Sequence, residues 1–237
     1  MLKTEITYLV DEIFDICNIS FPVDLHQLAD NLRINVIEMD LDLEGYFINA
    51  NNTHTIFLNS RGADEGRKRF TFAHEIGHSI LHVDSPFLDL NCEKEKYFRY
   101  HRELKTVENE ADFFASEILL PTKIIIDMLP NKTIDLSTIK KIATQAQTSM
   151  LSTAIKCVIN SKTENELLLF FDKYDEIKWF CSANIDWVFQ QMPSSFDGLD
   201  LFTSDYFKRI FEIENYVVLN YGRVVLLSGE TKDISSE

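Results

Sequence analysis

At 237 residues, 45% of them hydrophobic and 26% charged, the chain has the composition of a folded protein that can bury a sizeable core in one or two domains. A net charge of −15 excludes broad contact with nucleic-acid phosphates, which needs clustered Lys and Arg. Cys17, Cys92, Cys157 and Cys181 form no Cys-x-x-Cys pair, the opening residues lack a long apolar core, and runs such as Leu167–Phe171 are too short to span a bilayer, so a reduced cytoplasmic protein is expected, with no signal peptide and no membrane span.

Leu2, Ile6, Leu9, Val10, Ile13, Phe14 and Cys17 recur at three- and four-residue spacing and predict an amphipathic helix over residues 2–17. Pro22 interrupts the chain, and Asp24 reads as the N-cap of a second helix ending near Leu32. Ile34–Glu38, Gly45–Asn49 and Thr55–Asn59 alternate as strands do, with the polar link Asn49–His54 as a hairpin turn. Such a sheet either covers the helix that follows or offers an edge on which an extended peptide aligns. His26 is expected to be structural and His54 to be exposed on its turn.

The stretch Arg69–His82 contains His74-Glu75-x-x-His78 within a helical pattern, preceded by Asp64 and Glu65, which suit a helix N-terminus. At about 100° per residue, His74 and His78 share one face, and Glu75 lies on its flank. Phe72, Ala73, Ile76, Ile80 and Leu81 fill most of the rest, so the helix is expected to be largely buried. Two neutral imidazoles at this spacing suit zinc, and the adjacent carboxylate can take a proton from a water on the metal. His82 also falls on the metal side, but a fourth protein ligand would close the position water needs, so a packing or supporting role is expected. Gly77 costs about 1 kcal/mol relative to Ala within a helix, a cost that close approach of another helix would explain.

A catalytic zinc site wants a third protein ligand. Leu81 and Asp84 exclude the arrangement that needs Gly and His at those positions. Glu108–Pro121 offers a carboxylate instead: a helix with an acidic start and a proline stop, on which Glu108 and Asp112 share a face near Ala111 and Ala115. Glu108 is the expected ligand and Asp112 the expected hydrogen-bond acceptor of a ligand histidine. Glu110 is the alternative ligand, although the wheel turns it with Glu117 toward solvent. Between the two blocks, Tyr97, Tyr100 and His101 are candidates for steadying an oxyanion.

Arg69–His82 and Glu108–Pro121 resemble the two signature blocks of the ImmA/IrrE family of zinc metallopeptidases, the second with Ile118 as a mild departure and Asp112 where the pattern takes Asn or Asp. The resemblance covers about residues 20–125. It implies a prokaryotic protease, often borne on mobile elements, that cleaves a helix-turn-helix transcriptional repressor under stress. It also implies zinc held by His74, His78 and a Glu, with Glu75 catalytic.

Beyond Pro121, a short Ile-rich helix over Thr122–Leu129 precedes two helices, around Leu136–Ala143 and Leu151–Val158, joined by Gln147-Thr148-Ser149. The second carries only Lys156 as a base, so this hairpin is expected to pack or to meet a protein partner rather than DNA. Leu167–Phe171 with Ile177–Cys181, and Val217–Asn220 with Val224–Leu227, predict two β-hairpins, with a helix over Tyr206–Ile213. The expected fold is α+β: a mainly helical zinc-peptidase core with a small antiparallel sheet (residues 1–130), a helical hairpin (131–160) and a small mixed α/β module (161–237). The expected function is zinc-dependent endoproteolysis. The rival is a non-proteolytic regulator that binds a partner protein through its hairpin and acidic surface.

Overall fold

A computed structural model of the chain describes residues 1–61, 64–83, 102–163, 166–171, 174, 177–183, 211–219 and 224–231. The chain divides into two compact units, Met1–Pro121 with Gln145–Thr148, and Thr122–Thr144 with Ser149–Glu237. The architecture is α+β, as the sequence pattern predicts.

In the first unit, α1 (Lys3–Ile16) buries Ile6, Val10 and Ile13, the stripe that its spacing dictates. α2 (Leu25–Asn31) starts at Asp24, whose carboxylate accepts from the backbone N–H of His26 and Gln27 at 3.0 and 3.1 Å. Strands β1 (Asn35–Met39), β2 (Gly45–Ala50) and β3 (Thr53–Asn59) form a sheet of order β1-β3-β2. The β2–β3 hairpin is antiparallel, whereas β1 runs parallel to β3, so the sheet is mixed where a wholly antiparallel one was expected. The expected six-residue link is a tight turn: Asn51 and Asn52 take the left-handed conformation (φ 51° and 60°) that joins two twisted strands directly. His54 accordingly lies in β3, half-buried, with its ring edge-on to Phe47 rather than exposed on a turn.

α3 (Glu65–Leu81) carries the His-Glu-x-x-His segment and begins at Asp64, which accepts from Arg67 N–H at 3.0 Å. The sheet turns Phe47 and Ile56 inward and packs on α3. Glu44, just before β2, is gripped by Arg67 Nε at 2.6 Å and Thr71 Oγ1 at 3.2 Å, which fixes the sheet against this helix. α4 (Arg102–Leu119) begins six residues before the acidic cluster that was expected to open it, because Arg, Glu, Leu and Lys are strong helix formers. Its Phe114, Ala115 and Ile118 join Phe72, Ala73 and Ile76 of α3 in one core with α1 and α2. Each fully buried Ile or Phe there contributes about 1.5–3 kcal/mol of transfer free energy.

In the second unit, α5 (Thr122–Met128), α6 (Leu136–Ala146) and α7 (Met150–Ile159) follow the predicted pattern. Gln147, in the short turn after α6 that groups with the first unit, has φ 56°, the left-handed position where helical turns usually place glycine. Strands β4 (Glu166–Phe171), β5 (Ile177–Ser182), β6 (Phe211–Leu219) and β7 (Val224–Thr231) form an antiparallel sheet of order β5-β4-β7-β6. The expected helix over Tyr206–Ile213 is overturned at its end. Phe211–Ile213 belong to β6, pairing with β7 having extended the β-branched run upstream, and residues 206–210 lie outside the described segments.

Candidate metal centre

Helix α3 buries Phe72, Ala73 and Ile76, and this orientation leaves His74, His78 and His82 as a stripe at successive four-residue steps. Helix α4 lies alongside. A Cβ added to Gly77 would stand 3.0 Å from Cδ1 of Phe114 and 3.3 Å from its Cβ, so the bare glycine admits the neighbouring helix. That approach brings Glu108 to the histidines.

The donor atoms of His74, His78 and Glu108 all lie within 4.8 Å of one another. His74 Nε2 is 2.9 Å from His78 Nε2 and 3.2 Å from Glu108 Oε2, and His78 Nε2 is 3.5 Å from Glu108 Oε1. Glu75 is 3% exposed on the same helix. Asp112 Oδ1 accepts from His74 Nδ1 at 2.9 Å, which turns His74 Nε2 inward. The His74 pKa is raised from 6.5 to about 9: burial opposes the charged ring, but Asp112, Glu108 and Glu75 outweigh it. Carboxylates that would hold a proton there attract a dication equally well. Ring nitrogens and a carboxylate that face one another as acceptors are stable only around a shared proton or cation, so these residues fit a divalent metal with nitrogen and oxygen preferences such as zinc.

His82 is not turned to this centre. Its Nδ1 meets His78 Nδ1 at 3.1 Å and its Nε2 meets Glu110 Oε2 at 2.9 Å. Glu110 is therefore no ligand in this geometry, and the expectation that it faces solvent is overturned: its side chain is 15% exposed and its other oxygen pairs with the α-amino group of Met1. Burial raises the Glu110 pKa, but that amino group and His82 hold it below the usual carboxylate value. Glu117, also expected in solvent, is buried. α4 is flanked by α3 and by α1, and Glu110 lies between their contributions, His82 on one side and Met1 on the other. The sequence did carry a signal for Glu110, since a third histidine four residues past the motif needs a polar partner once buried. Tyr97, Tyr100 and His101 lie outside the described residues.

A His-Glu-x-x-His helix faced by a carboxylate from a second helix defines the class of the metallopeptidases. The chain belongs to the family of the IrrE N-terminal-like domain, whose pattern matches residues 29–157. It is 36% identical over 76 residues to the radiation response metalloprotease IrrE of Deinococcus radiodurans (32% of this chain, 22% of that protein). It is 25% identical over 108 residues to the metallopeptidase ImmA of Bacillus subtilis (45% and 60%). The matches thus span less than two thirds of either relative. A Mycobacterium tuberculosis transcriptional regulator shares the fold, with a TM-score of 0.54 at 12% identity over 95% of this chain and 88% of that one.

Proposed function

We propose that the protein is a zinc-dependent endopeptidase that cuts a helix-turn-helix transcriptional repressor and so releases mobile-element or stress-response genes. The observation that carries this is the convergence of His74, His78 and Glu108 beside the buried Glu75. The metallopeptidase activity of the two bacterial relatives supports a protein substrate, and the radiation response of the Deinococcus protein supports a stress context.

His74 and His78, through Nε2, and Glu108, through its carboxylate, would hold the ion. Zinc there would supply Lewis acidity, polarising the scissile carbonyl and acidifying water towards neutrality. Glu75 takes the proton of the attacking water on its carboxylate and hands it to the leaving amine. Asp112 keeps the His74 ring in place. The substrate lies extended along β2, an edge of its sheet, and the oxyanion donor is sought among Tyr97, Tyr100 and His101. The free thiols of Cys17, Cys157 and Cys181 suit the cytoplasm, and among the described residues no helix is long and apolar enough to cross a membrane.

The test incubates the zinc-loaded protein with a repressor encoded beside its gene. Chelator-sensitive fragments are expected, and Glu75→Gln should keep zinc while cleavage falls about 10²–10⁴-fold. Cleavage by that variant at the parent rate rules out the mechanism. A repressor bound tightly but left intact by the unaltered protein favours the non-proteolytic regulator instead.

A further inference from the structure

We propose that His82 and Glu110 are positioning residues of the metal centre, forming a relay that holds the His78 ring with Nδ1 protonated and a bare Nε2 turned to the ion; this rests on the zinc reading above.

Proton placement follows from the far end of the chain of contacts. An ionised carboxylate only accepts hydrogen bonds, so His82 Nε2–H donates to Glu110 Oε2 across 2.9 Å. A neutral His82 then has a bare Nδ1, which accepts from His78 Nδ1–H across 3.1 Å. The His78 lone pair is left on Nε2, the atom that faces His74 and Glu108. The opposite tautomer would put a hydrogen where the ion must bind and leave two bare Nδ1 atoms facing each other.

The two ligand histidines are therefore supported differently. His74 finds its carboxylate directly in Asp112, whose side chain is 56% exposed. His78 is fully enclosed, and on its Nδ1 side it meets His82, which links it to Glu110 through one imidazole. The spacing allows this because His82 stands one turn beyond His78, while Glu110, two residues from Glu108, reaches α3 at a different height from the ion. A residue needed only to fill this space would be apolar. The hydrogen bonds at both nitrogens of His82 offset the desolvation of its ring, and they order the partners on either side of it.

The experiment compares His82→Leu, His82→Gln and Glu110→Leu in the full chain by zinc affinity against a competing chelator and by ¹⁵N imidazole spectra of the zinc-loaded protein. His82→Leu and Glu110→Leu should each weaken zinc binding about 10–100-fold, whereas His82→Gln, whose amide oxygen accepts from His78 Nδ1–H, should stay within a few-fold of the parent. In the parent, His78 should show a protonated Nδ1, a signal that shifts or is lost in both Leu variants and returns in His82→Gln. Should His82→Leu fail to fold, Glu110→Leu and His82→Gln decide. Parent-like affinity and His78 spectra in the Leu variants overturn the relay while leaving the zinc site standing. A parent protein that takes up no zinc overturns the zinc reading, and the relay with it.

Discussion

Each unit holds a carboxylate away from bulk water, fully in one and partly in the other, and what surrounds the two is opposite in kind. In the second unit Glu166 is completely enclosed and meets donors: Ile134 N–H at 3.0 Å, Thr163 Oγ1 at 2.8 Å and the Ser161 hydroxyl. Its charge is spread over backbone and hydroxyl groups of its own unit, and it ties the segment before α6 to the start of β4. In the first unit Glu108 meets ring nitrogens that are acceptors once their outer nitrogens donate to Asp112 and His82. A carboxylate held by backbone and hydroxyl donors is a structural tie, whereas one that faces two imidazole nitrogens across 3.2 and 3.5 Å is suited to share a proton or a cation with them.

The sharpest way to break this contrast is at Glu108. Glu108→Ala should weaken zinc binding by more than the roughly 10–100-fold expected for loss of a supporting hydrogen bond, and far more than Glu110→Ala. Metal analysis that gives the reverse order would reassign the ligand. Glu166→Ala should act the other way, leaving zinc stoichiometry untouched. Stranding buried donors should lower stability by about 1–3 kcal/mol, read as the denaturation midpoint. Zinc loss in that variant would dissolve the distinction between the two carboxylates.

Gly77→Ala sharpens it at the helix contact. Helix propensity alone would gain about 1 kcal/mol. The new Cβ meets the buried Phe114 at 3.0–3.3 Å, and overpacking of this kind costs about 1–3 kcal/mol, so net destabilisation with weaker zinc binding is expected as α4 is pushed back with Glu108. A more stable variant with parent affinity would show that the two helices tolerate separation. The smallest effect falls at Asn52, where φ is 60°: Asn52→Gly makes the Asn-Gly pair such turns prefer, but frees the unfolded chain, so a net gain below about 0.5 kcal/mol is expected by thermal unfolding, with zinc binding untouched.

Much of the fold was legible because the relevant signals are local. The stripe of α1, the Asp24 and Asp64 caps, the alternation of β1–β3 and the paired strands β4 and β5 depend on neighbours within a turn or a hairpin. The early start of α4 and the strand at Phe211–Ile213 were not, since helix propensity and sheet pairing overrode the punctuation of single residues.

The sequence by itself determined that His74 and His78 share a helix face with Glu75 at its flank, because a four-residue step fixes that geometry wherever the helix lies. It also pointed to Glu108 and Asp112 as a pair on one face of a second helix. Only the tertiary structure decided which carboxylate meets which ring. Helix α1 closes over the side of α4 that the wheel assigned to water, and Glu110, instead of facing solvent, is drawn in to His82. A helical wheel gives directions around one axis, and the partner of a buried polar group is set by what packs beside that axis.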